Sequence, residues 1–321
     1  MSESLLRPIL PRYGLPADAP LRLVNRSENE TWTVDCGALF LRLHRDGYHS
    51  RNEIASELAW LSALQGLPDL NCVRPVADRE GRLIQTAGGR HVVAFAPIAG
   101  REPTLQDDLG SWFAELGRIT ARLHAHARAW RRPPDFRRKC WDAAAILGPC
   151  AHWGQWHAAE GLTADGRSIL YRLEAGLRQR LAAYGTGSER FGLIHSDLRL
   201  ANLLIGDAGL WVIDFDDCGF GWWMFDFAAA VSFIETDPRL PELAARWLEG
   251  YQHERPLAAE DAAMLPALVM LRRVQLTAWL GTRADSHTAA DVGGPVYTED
   301  TVALADRFLT GGPSRLWQGW A

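Results

Sequence analysis

Short β-prone runs open the ordered pattern of the chain: Leu21–Val24, Thr31–Val34 and Leu39–Leu43 are separated by polar turn material at Asn25–Glu30 and Asp35–Gly37, which predicts an antiparallel meander. A helical period follows, with Ile54, Leu58, Leu61 and Leu64 on one face of Asn52–Leu64 and stop signals at Gly66 and Pro68. Two more strand-like runs, Arg82–Thr86 and His91–Ala96, flank Gly88-Gly89, and Pro97–Pro103 reads as a connector. Beyond Thr104 the spacing predicts helices over Leu105–Trp130, Leu170–Tyr184, Leu243–Tyr251, Ala262–Leu280 and Thr301–Leu309, with another starting at Phe225. Three β-like runs, Phe191–Ile194, Leu203–Ile205 and Leu210–Ile213, interrupt them, and no internal repeat is present. The pattern is α+β in two parts: a sheet with one main helix over residues 1–97, then a mostly helical part over residues 98–321.

Composition narrows the function. At 321 residues, with 47% hydrophobic and 23% charged positions, the chain is long enough for a sizeable core and unlike disordered or fibrous sequences. The 34 basic and 39 acidic residues leave a net charge of -5, so no global positive field is available for nucleic acid or an anionic membrane. Cys36, Cys72, Cys140, Cys150 and Cys218 are odd in number and form no C-x-x-C pair, which points to a reducing compartment. The first residues lack a secretory pattern, and the longest largely apolar stretch, Trp222–Ile234, contains Asp226 and is too short for a bilayer. The expectation is a cytoplasmic protein. Lys139 is the only lysine, so arginine performs every other permanently cationic task.

The informative segment is LIHSDLRLANLLIGDAGLWVIDFDDCGFGWWMFD, residues 193–226. His195, Asp197 and Asn202 lie between two β-like runs, and Asp214-Phe215-Asp216 ends a third. Phosphoryl transfer needs a carboxylate to accept the proton of an attacking hydroxyl, and an amide oxygen with a second carboxylate to hold magnesium against phosphates. A chain with 10 histidines and this Asp and Asn content would contain H-x-D-x-x-x-x-N by chance about 0.01 times. The bland alternative, turn formers beside a core histidine and a strand-end cap, is outweighed.

This segment resembles the aminoglycoside phosphotransferase, choline kinase and type II homoserine kinase superfamily, relatives of the protein kinases that act mostly on small molecules. The resemblance is tightest over Leu193–Phe233, takes in Glu28-Asn29, Phe40–Leu43 and Glu57, and beyond about Pro238 extends only to helical character. It implies a bilobal protein-kinase-like fold, with residues 1–97 as a nucleotide-binding lobe and 98–321 as the catalytic and substrate-binding lobe. It also implies ATP, with GTP as an alternative donor, Mg2+, and a small-molecule hydroxyl as acceptor. Carried over, Asp197 is the catalytic carboxylate, His195 supports its loop, and Arg199 lies where a cation reaches toward the transferring phosphoryl group. Asn202 and Asp214 are the metal ligands. Asp216 is either a further member of the metal shell or an exposed charge, and Asp226 braces the catalytic loop.

The family also needs a phosphate-orienting cation on the third strand, paired with a glutamate on the first helix. With Lys139 beyond the connector, Arg42 takes that role with Glu57 as partner; Glu53 is the rival carboxylate, and Arg26 and Arg45 are rival cations. In place of a glycine-rich loop the chain offers Asn25–Glu30, where Ser27 or Asn29 would cover the phosphates, and Ala94–Pro97, including Ala94 and Ala96, takes the position of the adenine hinge. Trp222, Trp223, Glu235, Asp237 and Trp279 either frame a pocket for an amine-bearing substrate or belong to the core. The basic run from Arg128 to Lys139 reads as a solvated loop, and the pairs His124/His126 and His152/His157 as structural or exposed rather than metal-binding. A stress-response-type protein Ser/Thr kinase and a nucleotide-binding pseudokinase remain alternatives. Neither the acceptor nor the oligomeric state is legible.

Overall fold

The computed structural model describes residues 2–26, 29–283 and 287–311. In chain order the elements are α1 (Ser2–Leu6), β1 (Leu21–Arg26), β2 (Glu30–Val34), β3 (Leu39–Leu43), α2 (Arg51–Leu64), β4 (Asn71–Cys72), β5 (Pro75–Val76), β6 (Ile84–Ala87) and β7 (Arg90–Phe95). There follow α3 (Leu109–Ala129), α4 (Ala143–Leu147), α5 (Ala164–Tyr184), β8 (Phe191–Ile194), β9 (Leu203–Gly206), β10 (Gly209–Val212) and β11 (Gly219–Trp222). The last helices are α6 (Phe225–Ala230), α7 (Leu240–Glu254), α8 (Ala259–Thr282), α9 (His287–Val292) and α10 (Gly294–Gly311). Short 3-10 turns, among them Arg7–Tyr13 and Leu200–Asn202, join some of them. No helix among the described residues is long and apolar enough to cross a membrane.

Two compact units divide the chain. The first comprises Met1–Arg101, Arg131–Arg138 and Leu204–Asp216; the second comprises Glu102–Trp130, Lys139–Leu203 and Asp217–Ala321. A division of this kind cannot be expressed by a single boundary along the chain.

In the first unit an antiparallel sheet runs β1-β2-β3-β7-β5, with β6 also on β7. Leu41 stands opposite Trp32 on one side and Ala94 on the other. Trp32, Val34, Leu39, Leu41, Leu43, Val92 and Ala94 form the core with Leu6, Ile9 and Leu10 from the chain start. Helix α2 begins at a capping box, in which Ser50 Oγ accepts from the Glu53 amide at 3.3 Å and Glu53 Oε2 accepts from the Ser50 amide at 2.8 Å. Its buried face carries Ile54, Leu58, Leu61 and Leu64 together with Glu57. A separate sheet, β4-β10-β9, ends near Asp214, and Phe215 packs edge-on against Trp60 of α2 at 5.4 Å.

The second unit is built on helices. α3 and α7 cross where a Cβ on Gly250 would lie 1.8 Å from the Ala114 carbonyl oxygen and one on Gly117 would lie 2.1 Å from that of Trp247, so glycine permits the close crossing. α8 is buried continuously from Leu265 to Leu280, apolar on nearly every side, as expected of a central helix. The antiparallel pair β8–β11 carries the chain to His195 and returns it to α6.

Candidate active site

The catalytic-loop constellation lies in the second unit. β8 ends at Ile194, and Ser196 adopts a left-handed conformation, φ 71°, a strain that needs external bracing. Asp226 supplies it, accepting from the backbone amides of His195 at 3.1 Å and Ser196 at 2.6 Å. His124 Nε2 lies 3.0 Å from the same carboxylate, and its Nδ1 lies 2.9 Å from the Tyr251 hydroxyl. Burial holds the His124 pKa down, so the neutral ring donates to Asp226 and accepts from Tyr251.

Asp197 projects from this braced turn with 15% of its side chain exposed. Asn202 Nδ2 donates to its Oδ2 at 2.6 Å and to its backbone carbonyl at 2.8 Å. Arg272 Nη2 of α8 donates to Oδ1, and Arg199 Nε stands 3.5 Å from Oδ2. Burial opposes ionisation, but Arg272 and then Arg199 outweigh it and hold the carboxyl below its usual range. His195 is fully buried, and its Nδ1 accepts from the Asp197 amide at 3.2 Å. Asp197, Asn202, Arg199 and His195 thus form one group. With the Asn202 amide nitrogen committed to Asp197, its oxygen is the atom left for a metal.

The other constellation lies in the first unit. From β3, Arg42 Nη2 donates to both carboxylate oxygens of Glu57 at 2.6 Å, with Nη1 at 3.3 Å from Asp214 and 3.7 Å from Asp216. Glu57 and not Glu53 faces Arg42, because Glu53 is engaged in the helix cap and with His49. Burial opposes the charged guanidinium, and Glu57 followed by Asp216 and Asp214 more than restores it, so the Arg42 pKa is raised. Asp214 adopts φ 57° and leaves 45% of its side chain exposed.

Asp216 is not an exposed charge, one of the two expectations for it. It is 3% exposed; His44 and His49 stand 3.5 Å away, and Asn29 Nδ2 donates to Oδ2 at 2.7 Å. Burial works against its charge, but Arg42 and His49 hold the carboxyl well below the usual range. Asn29 is likewise occupied, since its Oδ1 accepts from the Arg45 amide at 3.0 Å, and its side chain ties the β1–β2 turn to Asp216. Ser27 lies outside the described residues. Ala94 is fully buried within the sheet, and the Ala96 amide donates to the Arg74 carbonyl at 2.9 Å, leaving its carbonyl for a base.

Core packing accounts for Trp222, Trp223 and Trp279. Trp222 and Trp223 are buried, their indole N–H groups donating to the carbonyls of Gly185 and Ser188. Glu235 pairs with Arg273 at 2.7 Å and Asp237 with Arg239 at 2.8 Å. Arg138 departs from the solvated-loop expectation: it is buried, donating to the carbonyls of Glu53 and Asp216. Arg272 was not singled out from sequence; the available signal was two adjacent arginines inside the apolar run of α8.

Both the fold and these constellations define a small-molecule kinase with the protein-kinase-like architecture. The chain belongs to the phosphotransferase enzyme family, whose model matches residues 22–264. It is similar to a solved structure titled microcompartment-associated aminopropanol kinase, with 43% identity, 98% of this chain and 99% of that one covered, and a TM-score of 0.88. It is 29% identical over 246 residues to the homoserine kinase of Gluconobacter oxydans (strain 621H), covering 72% of this chain and 74% of that protein. The structure of amicoumacin kinase hAmiN with AMP-PNP, Ca2+ and Ami is alike in fold, with 20% identity, 88% of each chain covered and a TM-score of 0.70.

Proposed function

We propose that this kinase transfers the γ-phosphoryl group of ATP, with Mg2+, to the hydroxyl of a small amino alcohol. The carrying observation is Asp197, an ionised carboxylate gripped by Asn202, Arg199 and Arg272 and mounted on a turn that Asp226 braces. The likeness to the aminopropanol kinase supports the acceptor class, and the homoserine kinase likeness supports the wider class of small amine-bearing alcohols.

Asp197 accepts the acceptor's hydroxyl proton as the oxygen bonds to the γ-phosphorus, the bond to the bridging oxygen breaks, and that oxygen leaves with the electron pair on ADP. Arg199, the half-buried cation beside it, offsets charge on the transferring group. Arg42, held in its buried fork by Glu57, orients the nucleotide's phosphates. The hard oxygen donors of Asp214 and Asn202 suit Mg2+, which when bound neutralises phosphate charge. Asp216, enclosed by Arg42, His44 and Asn29, fixes the β1–β2 turn. On this reading the first unit, with Arg42 and Asp214, serves the nucleotide, the second unit, with Asp197, serves the acceptor and the proton transfer, and the protein works in the cytoplasm. The intact Asp197, Asn202 and Asp214 set, with an arginine in the place of the usual lysine, favours turnover over a pseudokinase.

The test is incubation with ATP and Mg2+ against 1-amino-2-propanol, ethanolamine, homoserine, aminoglycosides and a generic protein substrate, following phosphoester formation by 31P NMR and mass spectrometry. Transfer to an amino alcohol is expected, falling about 100-fold or more in Asp197→Asn with nucleotide affinity retained. Nucleotide binding without transfer to any acceptor, or transfer to the protein alone, would overturn the reading.

A further inference from the structure

We propose that Arg272 is the positioning residue of the catalytic carboxylate, fixing the Oδ1 edge of Asp197 in the orientation that receives the acceptor's proton. The inference rests on the reading of Asp197 as the proton acceptor. Arg272 lies in the continuously buried part of α8 and is 1% exposed, so it acts through the groups it holds rather than on a ligand.

Each of its three guanidinium nitrogens has a separate partner: Nε donates to Ser232 Oγ at 3.0 Å, Nη1 to Gln275 Oε1 at 3.1 Å, and Nη2 to Asp197 Oδ1. Its carbon stands 5.0 Å from the ring centroid of Trp153 and 6.0 Å from that of Phe225. A planar fork bonded along its edges and covered by aromatic rings has no free rotation left. Its third bond is therefore delivered to Asp197 in a fixed direction.

The other edge of the carboxylate is held from within the catalytic loop, by Asn202 on Oδ2. Asn202 belongs to the same loop as Asp197, whereas Arg272 ties the carboxylate to the helical core and to Ser232, just beyond α6. Only both grips together define the plane of the carboxylate, and with it the lone pair presented to the acceptor. Lysine would bring the charge but could not bridge Asp197, Ser232 and Gln275.

The test compares Arg272→Lys, Arg272→Ala, Asp197→Asn and the Asp197→Asn/Arg272→Ala double variant with wild type on whichever acceptor it phosphorylates. Measured are kcat, KM for ATP and acceptor, nucleotide affinity by calorimetry, and single-turnover rates with and without added guanidinium ion. Arg272→Lys and Arg272→Ala are expected to lose about 10- to 100-fold in kcat with KM for ATP unchanged. Guanidinium ion should restore part of the Arg272→Ala rate, and the double variant should be no slower than Asp197→Asn. Arg272→Lys within about twofold of wild-type kcat overturns the proposal, even if Arg272→Ala does not fold; so do multiplying losses in the double variant. Wild-type turnover by Asp197→Asn would instead remove the reading of Asp197 beneath it.

Discussion

Replacing Arg42 tests its proposed phosphate-orienting role most directly. The guanidinium is buried, Glu57 opposite it is fully enclosed, and Asp214 and Asp216 stand 3.3 and 3.7 Å from its other nitrogen. Removing one member of a buried ion pair costs about 3–5 kcal/mol, because the partner is left charged in the interior. Arg42→Ala should therefore lose stability in that range, stranding Glu57 and Asp216 together. Glu57→Ala should lose less, since Arg42 keeps its two aspartates. The double variant should fall short of the sum by about 1–3 kcal/mol of coupling. Arg42→Lys keeps the charge yet cannot serve both Glu57 oxygens and Asp214, so turnover should drop while the fold persists. Urea unfolding gives the stabilities, and steady-state kinetics below the unfolding transition give activity. Additive losses in stability and turnover would show that Arg42 and Glu57 work separately, and full activity in Arg42→Ala would move the phosphate contact elsewhere.

Asp214→Ala should leave the fold intact, because that side chain is half exposed, and should abolish the magnesium dependence of binding a nonhydrolysable nucleotide in calorimetry; unchanged dependence refutes its role. Gly250→Ala forces α3 and α7 apart and should destabilise the protein by roughly 1–3 kcal/mol, seen as a lowered Tm; an unchanged Tm would mean the helices separate freely. His49, followed by the Ser50 amide and hydroxyl, holds the Glu53 carboxyl down to about 2 from 4.5 against some burial, so its stabilisation is complete above about pH 4.5 and lost as pH falls toward 2. Glu53→Gln should flatten that part of the acid-unfolding curve, and an unaltered pH slope between 4.5 and 2 would count against the pairing.

Where one face of an element is buried, its period was legible: β3 and β8 coincide with their predicted runs, and α2 differs by one residue at its start. The chain start was silent, because Pro8 and Pro11 interrupt the helical pattern even though Leu6, Ile9 and Leu10 enter the core. β4 and β5, of two residues each, are too short to carry a period. β11 is hidden by its glycines: Gly219 and Gly221 suggest a turn, but they face Ile194 and Gly192 across a ladder. Nor could local pattern attach 131–138 and 204–216 to the first unit, since that depends on distant partners such as Ser56, whose hydroxyl accepts from the Arg137 amide.

The proximity of Asp197 and Asn202 was readable for a related reason: they grip each other within one turn, so their spacing records the contact. Arg42 was reached by a different route, the near absence of lysine from the chain. Neither route leads to the environment of Asp216, because His44, His49 and Asn29 become its neighbours only through the fold. Arg272 lies between these cases. A charge is almost never fully buried without a partner, so Arg272 and Arg273 within an apolar helix imply two acidic partners elsewhere in the chain. Successive helical positions diverge by about 100°, so the partners must lie in different directions. The structure supplies Asp197 for one and Glu235 for the other. Burial logic thus gives the number and charge of the missing partners, while only the fold can say that one of them is Asp197, the proposed proton acceptor.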